Sequence, residues 1–237
     1  MSEERERTVN DQMRTRVEKL QAIEALGQHP YADRFERTHS LGDAAGLADG
    51  VEGVKVAGRI VSLRSFGKLI FGHLLDISGK VQFSLQKAKL GDAFASFRSV
   101  VDIGDFVGIE GTMFTTRTGE KTVDTVRWTF LTKAIRPLPE KFHGLTDPEL
   151  RLRRRYLDMI MSDEVRQRFV SRTRIVRTIR DFLDDNGFME IDTPVLTNKA
   201  SGAVARPFVT HNNALDIDVY LRIAPETYLK RAIAGGM

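Results

Sequence analysis

A chain of 237 residues that is 41% hydrophobic is long enough for one large domain or two smaller ones with ordinary cores. The absence of cysteine excludes disulfides and thiolate zinc sites, and the five histidines, His29, His39, His73, His143 and His211, lack ligand-like spacing, so no metal site is expected. No run of about 18 apolar residues occurs and the opening MSEERERTVN is too polar for a secretory signal, which argues against membrane insertion and export and for the cytoplasm.

The net charge of +4 is unevenly spread, with ten arginines against three acids (Asp158, Asp163, Glu164) between Arg151 and Arg180. Two readings stay open for this run, a solvated, salt-bridged helix face and a contact for a polyanion. Arginine in place of lysine leans towards phosphate or carboxylate, which the guanidinium fork binds through two parallel hydrogen bonds.

In chain order, residues 8 to 26 are predicted as an amphipathic helix. Val9, Met13, Val17, Leu20 and Leu26 form its stripe, and Arg5, Arg7, Arg14, Arg16 and Lys19 form a basic side. Docking on its own domain accounts for the stripe, and the basic side is left available to nucleic acid. From Val54 the pattern turns to short β-rich segments, VKVAGRIVSLRSF, LIFGHLLDI, VQFSL, FVGIEGTMF and VDTVRWTFLTK, with a turn around Ser78-Gly79. Between the third and fourth, Phe94, Phe97 and Val101 have helical spacing. Five strands with one helix in that place give the element order of an OB-fold barrel, and the glycines at 58, 67, 72, 108 and 111 fit the bends it needs.

Barrels of this kind bind oligonucleotides on one face through aromatic platforms and a positive groove. Phe71 would supply a stacking ring and Gln82 a base-edge amide, with Arg64, Lys68, Lys80 and Arg117 supplying charge; taken alone, a strand phenylalanine is more often a core residue. The prolines at 137, 139 and 148 mark RPLPEKFHGLTDPELR as a connection between domains. Beyond it, SDEVRQRFVSRTRIVRTIRDFLDDNG is predicted as a helix with Phe169, Ile175, Val176, Ile179, Phe182 and Leu183 on one stripe and Asn186-Gly187 as its stop. FMEIDTPVL is predicted as a short strand ending at Pro194, opening a second, incomplete α/β domain. Residues 225 to 234 are predicted as a last helix, with Pro225 and Glu226 in its first turn, Tyr228, Leu229, Ala232 and Ile233 on one face, and Gly235-Gly236 as its stop.

Several long stretches agree in order with one family. "PYADRFERTHS", "VAGRI", "RPLPEKFHGLTDPELRLRRRYLDMI", "GFMEIDTPVL" and "SGAVARPFVTHNNALDIDVYLRIAPETYLKR" resemble the class II aminoacyl-tRNA synthetases, most nearly their lysine-specific branch, over nearly the whole chain. The resemblance implies an α+β multidomain chain. Residues 1–50 would be an N-terminal helical extension, 51–136 an anticodon-binding OB-fold five-stranded barrel, 137–150 a linker, and 151–237 the start of an antiparallel α/β catalytic domain.

Residues 172 to 196, ending near Pro194, resemble the family's first motif and imply a homodimer packed through that element. The second and third motifs, with their ATP-binding arginines, and the acids that hold magnesium are not among these residues. ATP and Mg²⁺ are therefore expected to find their ligands beyond residue 237, and the 237 residues alone are expected to be a fragment that forms no adenylate.

Gly202, in SGA where the family more often has GGA, matches the loop whose backbone approaches bound L-lysine; Ser201 narrows the freedom of that loop. Glu226 matches the acceptor for the lysine α-ammonium. In the barrel, Phe71, Gln82 and Glu120 fall where related enzymes stack on and hydrogen-bond the central anticodon uridine, and Arg64 where a basic residue approaches the anticodon. The implied function is ATP-dependent ligation of L-lysine to its tRNA. The alternatives are a non-catalytic tRNA-binding homologue and an aspartate or asparagine enzyme, which shares this barrel and a U-centred anticodon.

Overall fold

A computed structural model describes residues 3–32, 34–139, 145–200 and 202–237, and the chain divides into two compact units, residues 1–148 and 149–237. Ser201 and residues 140–144 of the expected linker, with His143 among them, lie outside the described residues.

In the first unit, period-two alternation of apolar residues builds β1 (Val54–Phe66), β2 (Leu69–Leu75), β3 (Lys80–Gln86), β4 (Phe106–Thr115) and β5 (Lys121–Thr132), preceded by α1 (Glu3–Ala25) and the short α2 (Leu41–Ala45). The strands close into a barrel in the order β1-β2-β3-β5-β4, antiparallel throughout except for the parallel β3–β5 pair. Val56, Ile60, Leu74, Phe83, Leu85, Ile109, Met113, Val123 and Phe130 fill it and are buried. Between β3 and β4 the chain forms α3 (Lys87–Leu90) and α4 (Asp92–Val100). From α4, Phe97 meets Phe83 edge-on at 6.0 Å and Trp128 at 5.1 Å, while the Trp128 indole donates to Ala93 O at 2.9 Å.

Two of the five glycines stand at bends, Gly111 beside a register shift in the β4–β5 pair and Gly67 in a turn, and the others at close approaches. Gly67 alone of the five has a positive φ, +63°, in the β1–β2 turn. Gly72 is needed because a Cβ there would lie 2.4 Å from the Phe83 ring, and Gly58, Gly108 and Gly111 likewise sit against neighbouring atoms.

Helix α1 docks on its own unit, with Val9, Met13 and Leu20 of the predicted stripe half-buried. Ile23 is fully buried, whereas Val17 and Leu26 are exposed and Leu26 lies past the helix. Part of the basic side is used for docking. Arg16 donates to Ala134 O at 2.7 Å and Ile103 O at 3.1 Å, and the Lys19 ammonium meets Asp102 at 2.6 Å. Asp102 belongs to an ionic knot at the foot of the barrel. There the fully buried Lys133 ammonium contacts Asp102 at 2.6 Å, Asp105 at 2.8 Å and Val100 O at 2.7 Å, and Asp105 also accepts from the Asp102 and Ala134 N–H groups.

The second unit begins with α5 (Pro148–Arg153), α6 (Arg155–Met161) and α7 (Asp163–Asp185). Ser162 caps α7 by accepting from Val165 N–H, and Asn186 with Gly187, φ +81°, ends it. The arginine run is largely self-paired. Arg151 and Arg155 hold the buried Asp158 at 3.0 and 2.7 Å, Arg153 pairs with Glu149, Arg166 with Asp163, Arg168 with Glu164 and Arg180 with Glu190. This is the salt-bridged face of the two earlier readings. On α7 only Val165 is buried, and Phe169, Ile175, Ile179, Phe182 and Leu183 are exposed.

A three-stranded sheet follows, in the order β6 (Leu196–Thr197), β8 (Ile217–Leu221), β7 (Val209–Asn212), and then α8 (Glu226–Ala234), preceded by Pro225 and ended by Gly235 and Gly236. FMEIDTPVL is not the strand that its β-branched and apolar residues predict. Residues 188–194 are irregular and pairing starts only at Leu196, past Pro194. A strand needs a ladder partner, and among the described residues none lies alongside this segment, which is anchored instead by the Arg222 guanidinium donating to Thr193 O at 2.5 Å.

Candidate nucleic-acid interface

In β2, Ile70, Gly72 and Leu74 point into the barrel, so Phe71 and His73 are on its outer surface. Facing them, β1 would carry its even-numbered residues inward throughout, as Val54, Val56 and Ile60 are. A β-bulge between Ile60 and Ser62 shifts the phase, turning Leu63 towards the core and Ser62 and Arg64 outward.

Strand register then lays two rows across the face, with neighbours about 4.8 Å apart. One row runs Arg64, Phe71, Ser84, Asp124 and the other Ser62, His73, Gln82, Thr122.

The second row is a continuous hydrogen-bond chain completed by Glu120, which arrives from the β4–β5 turn. Ser62 Oγ lies 2.7 Å from His73 Nδ1, His73 Nε2 lies 2.5 Å from Glu120 Oε1, and Gln82 Nε2 donates to Glu120 Oε2 at 2.8 Å. The Thr122 hydroxyl reaches Gln82 Oε1 at 2.8 Å. Gln82 is 8% exposed, although it faces outward. In the first row, Phe71 is half-buried and meets Phe66 edge-on at 6.5 Å. Beside it Asp124 accepts from Ser84 Oγ at 3.0 Å and Gln86 Nε2 at 3.1 Å and pairs with Lys89.

Arg64, Lys68, Lys80 and Arg117 are exposed around this face. The fold thus brings Arg64, Phe71, Gln82 and Glu120 together: an aromatic ring, oriented amide and carboxylate groups, and a cationic rim, the set that holds a base by stacking and edge hydrogen bonds. His73, Ser62 and Thr122 were missed from sequence. His73 was within reach of the period-two rule, two residues from Phe71 on the same strand.

In the second unit, Gly202 has φ +100°, and a Cβ there would lie 2.8 Å from Ala224 O, so its backbone lies against the loop two residues before Glu226. Glu226 Oε1 accepts from Lys230 Nζ at 2.5 Å. This hydrogen bond and the lysine's charge hold the exposed carboxyl below the usual glutamate range. Pro194 is exposed, between Thr193 and Val195, whose carbonyls accept from Arg222. Among the described residues no three His, Cys, Asp or Glu gather as metal ligands would, and no helix is long and apolar enough to cross a membrane.

Residues 54–130 match the OB-fold nucleic acid binding domain, and residues 147–237 match the class II tRNA synthetases (D, K and N). The chain is 49% identical over 233 residues to the lysine–tRNA ligase of Carboxydothermus hydrogenoformans, covering 96% of this chain and 47% of that protein. It is 47% identical to the lysine–tRNA ligase of Moorella thermoacetica (96% of this chain, 47% of that protein) and 46% identical to that of Bacillus cytotoxicus (97% and 48%). The chain thus spans about half the length of the curated relatives it matches. The order of an OB-fold barrel ahead of a second unit that matches the class II tRNA synthetases (D, K and N) is thus what the chain shares with these lysine–tRNA ligases.

Proposed function

We propose that this chain serves an ATP-dependent lysine–tRNA ligase of the cytoplasm: residues 51–136 read the anticodon of tRNA(Lys), residues 137–150 connect, and residues 151–237 open the lysine-activating domain. The observation that carries the reading is the outer face of the barrel. Phe71 offers a ring to a base, and the Gln82 amide and Glu120 carboxylate stand one row away as donor and acceptor. Uracil presents an N3–H donor beside carbonyl acceptors. The carboxylate complements the first and the free Gln82 N–H the second, while Arg64 stands opposite Phe71 for a phosphate. The decisive experiment for this half is exchange of the central anticodon base from U to C in an RNA offered to the chain.

In the second unit, Glu226 is the acceptor for the α-ammonium of L-lysine, and Gly202 keeps the loop against Ala224 free of a side chain. Lys230, which now occupies Glu226, is the group that the substrate ammonium replaces. The relatives' identity of 46–49% favours lysine over aspartate or asparagine. Attack of a carboxylate on the α-phosphorus of ATP builds negative charge that magnesium offsets. The described residues offer no cluster of three His, Cys, Asp or Glu for that ion.

The exposed apolar side of α7 and the segment at Pro194 support a homodimer packed there. In the full-length protein, Glu226→Gln is expected to raise the lysine KM about tenfold, the worth of one charge-assisted hydrogen bond, with a smaller change in the ATP KM. Lysine-dependent pyrophosphate exchange measures both, and equal changes would remove Glu226 from this role.

A further inference from the structure

Glu120 sits in the β4–β5 turn, its side chain 43% exposed, yet its carboxylate is held on both oxygens above the sheet. A turn carboxylate free in water would sample many rotamers, so an acceptor aimed at one base edge needs a fixed support. An ionised carboxylate only accepts hydrogen bonds, which sets the direction of everything that touches it. Gln82 must present its nitrogen to Oε2, leaving its carbonyl for the Thr122 hydroxyl at 2.8 Å. His73 must present Nε2–H to Oε1, and on the other side of the ring its Nδ1 is hydrogen-bonded to the Ser62 hydroxyl at 2.7 Å. The His73 side chain is only 12% exposed, so it is packed in this orientation.

We propose that the Ser62–His73 pair is a positioning element that orients Glu120 as the acceptor distinguishing uridine from cytidine. The inference rests on the anticodon reading above and assigns His73 no contact with the base. Through the bulge between Ile60 and Ser62 the backbone brings Ser62 outward to meet His73, so the device depends on that irregularity as well as on the two side chains. Without His73, Glu120 keeps one anchor, Gln82, and the pair can turn together. The chain would still stack a base on Phe71 but would lose the preference for an N3–H donor over the bare N3 of cytosine.

The test uses the 237-residue chain and two anticodon stem-loops that differ only by U or C at the central position, with affinities read by fluorescence anisotropy. His73→Ala is expected to lower the U-over-C ratio about tenfold, the worth of one lost orienting hydrogen bond to a charged group. His73→Gln, whose amide N–H reaches the position of Nε2, restores most of the ratio, and Ser62→Ala lowers it in the same direction by less. If His73→Ala fails to fold by Trp128 fluorescence, the Ser62→Ala ratio decides. An unchanged ratio in a folded His73→Ala or, failing that, in Ser62→Ala overturns the proposal, as does equal weakening of both RNAs. A wild-type chain without preference for U overturns instead the anticodon reading on which the proposal rests.

Discussion

Lys133→Met is expected to lower the stability of the first unit by about 3–5 kcal/mol, the cost of leaving a buried charge without its partner. The Lys133 and Asp105 side chains are both fully buried, and Asp102 adds a second carboxylate to the same ammonium. Methionine fills the space of the stem but strands Asp105, whose remaining partners are the N–H groups of Asp102 and Ala134. Adding Asp105→Asn to Lys133→Met removes the orphaned charge and is expected to recover part of the loss, as coupled neighbours do in a double-mutant cycle. The single tryptophan, Trp128, lies in this unit, so its fluorescence during urea unfolding reports on the barrel.

The same knot sets an acid limit. Burial pushes the Asp102 carboxyl up, but hydrogen bonds from Lys133 and Lys19 outweigh it and hold the group below its ordinary value of 3.8. Its stabilising contribution is therefore present above about 3.8 and lost as the pH falls through the lower folded value. Lys133→Met removes the largest of those hydrogen bonds, so its acid unfolding midpoint is expected to rise. A variant with unchanged urea and acid midpoints would show that the knot contributes nothing.

Phe71→Ala is expected to weaken binding of an anticodon stem-loop by about 1–3 kcal/mol, the usual worth of one stacked base. The prediction depends on which way the ring points. In β2 the core is made by Ile70 and Leu74, while Phe71 alternates with them and touches Phe66 at the outer edge. Truncation there removes a platform and opens no core cavity, so thermal melting of the barrel is expected to shift little. Phe71→Leu retains apolar area but no stacking plane and is expected to fall nearer alanine than wild type. Equal RNA affinity in a folded Phe71→Ala chain would return this residue to a packing role.

The barrel was legible because its strands alternate cleanly and α4 shows helical spacing at Phe94 and Phe97, both of which are buried. The bulge that turns Ser62 and Arg64 outward was not legible, since it is a property of the β1–β2 pairing and of no residue in β1 alone. Glu120 could be named only through the family resemblance, because a turn glutamate has no pattern of its own. The knot at Lys133 escaped for a similar reason: its charges come from three separate segments and meet only in the fold.

In α1, continuing the stripe three residues past Leu20 leads to Ile23, which reading to Leu26 overshot, and Arg16 and Lys19 could be assigned to docking only once their acceptors were in place. For FMEIDTPVL, strand propensity was present and the partner was not.

The central claim is that Phe71, Gln82 and Glu120, the last held in place by His73 and Ser62, read a uridine. Equilibrium binding of the 237-residue chain to stem-loops carrying U or C at the central anticodon position tests this most directly. The expected result is tighter binding of the U form by about 1–3 kcal/mol, the discrimination that a well-paired base edge provides. Equal affinity for the two RNAs under the same salt conditions would contradict the assignment.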